Sequence, residues 1–164
     1  MPTSDPAAVT IRAATPADLP ALGRLAVLLM QMHHDFDRAR FMAVTAQTEL
    51  GYASYLGSRL GQSNTVILVA VHDVQICGYA WGSLEGVDYM ALRGPAGALH
   101  DLIVDSGSRG RGVGGLLLQA AMAALEQIGA TQVVLSTAAR NEPAQRLFAR
   151  HGFRPTMIEL TRDS

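Results

Sequence analysis

Apolar and polar residues alternate over VTIRAA, residues 9–14, which predicts a short strand. The period then lengthens. In TPADLPALGRLAVLLMQMHHD, Leu22, Leu25, Leu29 and Met32 recur at three- and four-residue steps, the buried stripe of a helix. Thr15 as N-cap, Pro16 at the first helical position and Asp18 in the first turn mark its start. A second helix is predicted from Thr45 through TAQTELGYASYLGSRLG, with Leu50, Ala53, Tyr55 and Leu60 as apolar positions. NTVILVAVHDVQICGYAWGSLEG reads as a hairpin: strands over 66–71 and 74–84, with His72 and Asp73 as the turn. After the loop ALRGPAG, ALHDLIVD is a fourth strand, and TQVVLSTAA is a fifth. Between them lies a helix over 112–128. Val113, Leu117, Ala121, Ala124 and Ile128 form one stripe, which Leu116 and Leu118 widen, so this helix must be largely covered. A short helix over 141–151 has Asn141 as N-cap and Gly152 just past its end. FRPTMIELTR is expected to close the chain as a sixth strand.

The order β-α-α-β-β-β-α-β-α-β predicts a mixed α/β sheet with helices on both faces, and 164 residues favour one domain spanning 1–164. Apolar residues are 49% and charged ones 16%, a globular balance. The net charge of −1 gives no overall attraction to nucleic acid or anionic membrane. The lone Cys77 excludes an internal disulfide and reads as a small core residue, and a reducing, cytoplasmic setting is expected. MPTSDPAAVT has neither the basic nor the apolar region of a leader, and no run is long enough to span a membrane. All 13 basic residues are arginine. Without lysine there is no Walker-type phosphate loop and no Schiff base.

The chemistry concentrates in DLIVDSGSRGRGVGG, between the fourth strand and the helix that follows. Gly107, Gly110, Gly112, Gly114 and Gly115 each cost entropy, and what they offer is close approach to backbone N–H groups. They open a helix N-terminus, where unpaired amides and the macrodipole favour an anion. Arg109 and Arg111 add charge in the fork geometry that suits phosphate. A diphosphate fits this combination. A dinucleotide fold does not, because the motif lies late in the chain and Glu126 falls inside the helix rather than at the end of a second strand.

RGRGVG, residues 109–114, resembles the Arg/Gln-x-x-Gly-x-Gly/Ala signature of the GNAT superfamily of acyl-CoA N-acyltransferases. NEPAQRLFARHGF, residues 141–153, resembles that family's second motif, at the usual separation. The resemblance implies a GNAT-like sheet of six or seven mostly antiparallel strands with a central bulge and splay. It implies acetyl-CoA as co-substrate, with its pantetheine arm between the splayed fourth and fifth strands. Leu102 and Val104 would offer that arm backbone hydrogen bonds, and the backbone near Ile103 and Val104 would polarise the thioester. Arg109, Gly110, Arg111, Gly112, Val113 and Gly114 would cradle the pyrophosphate, with Gly115 adjoining. Asn141, Ala144 and Phe148 would flank the thiol end. A homodimer is the family-level expectation.

Transfer to an amine requires that the amine lose its proton. Asp101 and His100, entering the fourth strand, are the candidate bases. Neighbouring strand residues point to opposite faces, so one of the two is expected to face the acceptor. Asp101 could equally hold the acceptor's ammonium or pair with an arginine. Relatives that protonate the leaving thiolate use a tyrosine where this chain has Phe148, so no acid is assigned; Tyr79 and Tyr89 are the remaining phenols considered. His33, His34, Asp35 and Asp37, between the first two helices, either read the acceptor or form a solvated loop. Tyr79 and Trp81, two apart on one strand, are core residues that could share the acceptor pocket. No metal is expected. The reading is an N-acetyltransferase acting on a small amine. A non-catalytic acyl-CoA-binding module and a protein N-terminal acetyltransferase are the alternatives.

Overall fold

A computed structural model describes residues 8–164. The opening segment, read above as carrying no leader, lies mostly outside the described residues. Strand β1 (Thr10–Ala13) leads through a 3-10 turn into helix α1 (Leu19–Phe36), and helix α2 (Thr48–Arg59) follows. Strands β2 (Thr65–His72), β3 (Gln75–Glu85) and β4 (Ala96–Val104), helix α3 (Val113–Gln127), strand β5 (Val133–Leu135) and helix α4 (Glu142–Arg150) complete the order. The sheet runs β1-β2-β3-β4-β5, antiparallel except for the parallel β4–β5 pair. The β2–β3 turn falls at Asp73 and Val74, one residue later than predicted, with positive φ at both. No helix among the described residues is long and apolar enough to cross a membrane.

Each face of the sheet carries its own core. Leu22 and Leu25 of α1 and Leu56 of α2 bury against Ile67, Val69, Tyr79, Trp81 and Ile103. On the other face Val113, Leu117, Leu118 and Ala121 of α3 bury against Ala70, Cys77, Ala80 and Leu99, with Leu147 and Phe148 of α4 alongside. The entry to α1 is fixed by Asp18, which accepts two bonds from Arg12 of β1 at 2.7 and 3.0 Å and one from the Thr15 amide at 2.8 Å. The Arg12 bonds lead in holding the Asp18 carboxyl down at about 2. Because that value lies below the unfolded one, the stabilisation is present above the ordinary carboxylate range and is lost as pH falls toward 2.

Two expectations need correction. Helix α2 buries a different stripe: Leu56 is fully buried and Tyr52 partly, whereas Leu50 and Tyr55 are exposed. Among the described residues the sheet has five strands, not six or seven. Residues 153–162 form no strand, and Met157, Ile158 and Leu160 face solvent. β5 is only three residues long and leaves little ladder to build on, and Pro155 supplies no N–H to one. The Arg40–Glu159 ion pair ties this tail to the α1–α2 loop.

Two irregularities of β4 prepare the site. Gly82 pairs with Leu99 but Trp81 pairs with Asp101, so His100 is an extra, bulged residue. On its other edge β4 pairs with β5 only over Gly97, Ala98 and Leu99, and from His100 onward that edge has no strand beside it. Beside the bulge, β3 and β4 approach closely at Gly82, where a Cβ would stand 2.6 Å from the Ala98 carbonyl oxygen. Gly82→Ala should therefore destabilise the fold by about 1–3 kcal/mol in urea denaturation, through overpacking against backbone.

Candidate active site

The splay opens into a cavity of ≈ 310 Å³. Its floor is the β4 segment from Leu99 to Leu102. One wall is α1 and the loop after it (Leu29, Met30, Met32, His33, Phe41, Met42), with Tyr52 of α2. The opposite wall is Leu135, Ser136 and Thr137, with Asn141, Ala144 and Phe148 of α4. Sequence spacing thus brings Asp101, His100, Leu102, Asn141, Ala144 and Phe148 to one place.

Asp101 is the centre of this arrangement. It is only 8% exposed, and the Tyr52 and Tyr79 hydroxyls both donate to its Oδ2, at 2.5 and 2.8 Å. Among the described residues no side chain bonds Oδ1 within hydrogen-bond distance, and no arginine pairs with the carboxylate. The indole N–H of Trp81 is buried without a partner at that distance. Burial pushes the Asp101 carboxyl up, against the two tyrosine bonds, the charge of His100 and the nearby Trp81, which all hold it down. Burial, the Asp101 charge and the bonds to Asp101 push both phenols up, so they stand as neutral donors. This is a buried carboxylate with raised proton affinity, one oxygen held and the other free.

The bulge revises the expected orientation of the pair. His100 and Asp101 lie on the same face. His100 stacks on Trp81 with centroids 4.2 Å apart, and its Nε2 sits 2.9 Å from Ser83 Oγ and 3.2 Å from Glu85 Oε1. Burial pulls its pKa down, the charge of Glu85 opposing.

Other predicted residues fall as follows. Tyr79 and Trp81 lie behind Asp101 rather than on the cavity wall. Tyr89 is 83% exposed on the β3–β4 loop. His34 Nδ1 meets the Phe41 carbonyl, and Asp37 accepts from the Ala39 and Arg40 amides; both tie the loop together instead of lining the cavity. His33 does line it, with Nδ1 held by the Leu29 carbonyl and the ring edge-on to Phe41. Ile103 points into the α1–α2 core. Tyr52 escaped sequence reading. Its signal was available, since it stands four residues before the buried Leu56, but Tyr55 competed for the same stripe.

Beyond the cavity, Gly110 and Gly112 have φ of +75° and +79°, with open space where a Cβ would stand. No side chain caps α3. Its first amides, at Val113, Gly114 and Gly115, are therefore open to an anion. Gly114 and Gly115 also admit α4, since a Cβ on Gly114 would lie 3.3 Å from Leu147 and one on Gly115 3.6 Å from His151. Arg109 folds back: its Nε donates to the Val104 carbonyl at 3.0 Å, and its guanidinium lies against the Met32 sulfur. Arg111 is exposed. Among the described residues no group of three or more His, Cys, Asp or Glu could hold a metal ion.

The family described as acetyltransferase (GNAT) matches residues 29–153. Among curated proteins none matches. A Bacillus halodurans protein solved as a tetramutant is 23% identical, covering 93% of this chain and 99% of its own, with a TM-score of 0.77. A predicted acetyltransferase of Clostridium acetobutylicum solved with acetyl-CoA is 16% identical (94% and 96% covered, TM-score 0.72). An aminoglycoside acetyltransferase from a soil metagenome is 17% identical (95% and 96%, TM-score 0.65). At these identities the solved structures speak for the fold, and the match over residues 29–153 speaks for the family: the chain belongs to the GNAT acetyltransferases.

Proposed function

We propose that the protein transfers the acetyl group of acetyl-CoA directly to a primary amine, with Asp101 as the base. The observation that carries this reading is the buried, cation-free Asp101 carboxylate at the floor of the β4–β5 splay. The residues present suit the co-substrate. The edge of β4 from His100 to Val104, with no strand beside it among the described residues, can pair with an extended arm through Leu102 and the Val104 amide, the Val104 carbonyl being taken by Arg109. The open amides from Gly110 to Gly115, with Arg111 exposed beside them, suit a pyrophosphate. Asn141, Ala144 and Phe148 line the far wall, where they would flank the thiol end. Arg109 secures the loop by its bond to the Val104 carbonyl.

Acetyl-CoA supplies the acyl group as a thioester. What the protein supplies is an anchored, deprotonated amine. An alkylammonium of pKa ~10.4 is neutral in only about one molecule in a thousand near pH 7. Asp101 draws the ammonium in by charge and accepts its proton at the free Oδ1. The nitrogen then forms the C–N bond as the C–S bond breaks, and the second proton it sheds goes to the departing thiolate. Tyr52 and Tyr79 fix the carboxylate's orientation through Oδ2. His100, whose pKa burial lowers against the charge of Glu85, stands next to Asp101 on the same face and lines the cavity. Phe148 offers no hydroxyl, so the thiolate leaves without a proton from that position.

Release of free thiol from acetyl-CoA in the presence of an amine panel, with the acetylated product identified by mass, tests the reading. Slow thioester hydrolysis with no acetylated amine, despite acetyl-CoA binding, would instead indicate a binding module. A second expectation concerns Tyr52→Phe. It removes a bond that holds the Asp101 pKa down, so the acid limb of the kcat/KM profile should move to higher pH. An unmoved limb would separate Asp101 from the rate.

A further inference from the structure

We propose that the acceptor is a singly charged primary amine with an apolar body, an aryl- or branched-alkyl-amine, rather than a polyamine or an amino sugar. This rests on the acetyl-transfer reading above and adds the chemical class of its acceptor.

Among the described residues the cavity is lined by one carboxylate, Asp101. On its acceptor side the wall is Leu29, Met30, Met32, Phe41 and Met42, with His33 and Tyr52 the polar exceptions. The acidic side chains at the end of α1 and on β3 are engaged elsewhere. Asp37 caps the turn after α1, Asp35 accepts from Gln31 at 2.9 Å, and Glu85 is bonded to Arg93 at 3.0 Å and lies 3.2 Å from His100. A first ammonium can therefore meet Asp101, and a second one on the same molecule would face thioethers and a phenyl ring. An unpaired charge in such surroundings is heavily penalised. Hydroxyls of an amino sugar would meet the same surfaces without partners. Three methionines beside Phe41 make a deformable wall that suits aromatic and branched alkyl groups of varied outline. Size points the same way, because ≈ 310 Å³ must also take the thiol end of the acyl donor. Met42 is 76% exposed although it lines the cavity. An apolar bodied guest would cover it.

The test compares 2-phenylethylamine, benzylamine and isoamylamine with spermidine and kanamycin. Thiol release gives kcat/KM, and quenching of Trp81, the only tryptophan, gives amine binding in the presence of CoA whether or not transfer occurs. At least one apolar monoamine should exceed spermidine and kanamycin by roughly 100-fold in kcat/KM, the discrimination expected when polar groups are left unpaired. Met42→Glu places a second carboxylate at the mouth, on an exposed position that folding tolerates, and should narrow the gap to spermidine by about tenfold or more. Spermidine or kanamycin preferred by the native protein would overturn the inference and leave acetyl transfer standing. Quenching by monoamines with no acetylated product would support the acceptor class and overturn transfer. Neither quenching nor product, with CoA still bound, would overturn both.

Discussion

Asp101→Asn should lower acetyl transfer by roughly 10²–10⁴-fold, the range of a lost general base, while acetyl-CoA binds as before. The same change should raise the melting temperature at neutral pH. Burial lifts the Asp101 pKa above its unfolded value. Between those two values the folded chain keeps a proton that the unfolded chain has released, so stability falls as pH rises through that window and stays lower above it. Asparagine has no charge to bury, its Oδ1 can still accept from Tyr52 and Tyr79, and its amide takes the free position toward the cavity. A gain of a few °C at pH 8 that vanishes below the unfolded carboxylate pKa, together with lost turnover, is the expected signature. A lower melting temperature at pH 8 would make Asp101 a structural residue.

Gly112→Val should weaken acetyl-CoA binding about tenfold or more. Gly112 sits at φ +79° and ψ 4° as the residue that launches α3. A β-branched residue there carries strain of order 1–3 kcal/mol, and relieving it rotates the amides of the first helical turn away from their present directions. A displacement worth 1.4 kcal/mol is one decade in Kd. Calorimetry with acetyl-CoA reads this directly. The rate at saturating acetyl-CoA should change far less, because Asp101 and Tyr52 lie on other elements. Binding unchanged within twofold would remove this turn from the pyrophosphate site.

Features with a local cause were legible in the sequence. Thr15 and Pro16 mark the 3-10 turn that leads into α1, Asn141 caps α4 through the Ala144 amide, and Gly152 stands at φ +87° just beyond its end. The glycine–arginine turn announced an anion site because it lies between a strand and a helix. Features set by pairing were not legible. The family resemblance implies a central bulge, but its place at His100 belongs to the register of two strands and leaves no mark in either alone, so period-two reasoning separates His100 from Asp101. The phase of α2 was ambiguous because Tyr52 and Tyr55 differ by less than one turn, and only the neighbouring sheet decides between them. The expected last strand failed for a related reason: the apolar run Met157, Ile158 and Leu160 has strand-like composition, but a strand also needs a ladder beside it.

The extra residue in β4 works as a parity switch. Leu99, Leu102 and Val104 belong to the α3 layer, while His100, Asp101 and Ile103 belong to the α1–α2 layer. Absorbing that residue into a regular ladder would turn the strand's upper half inside out, carrying the acid into oil and a leucine into the chamber, whereas deleting it would leave Asp101 on its present face. The register of this strand is thus as binding a constraint on the site as the identity of any side chain in it.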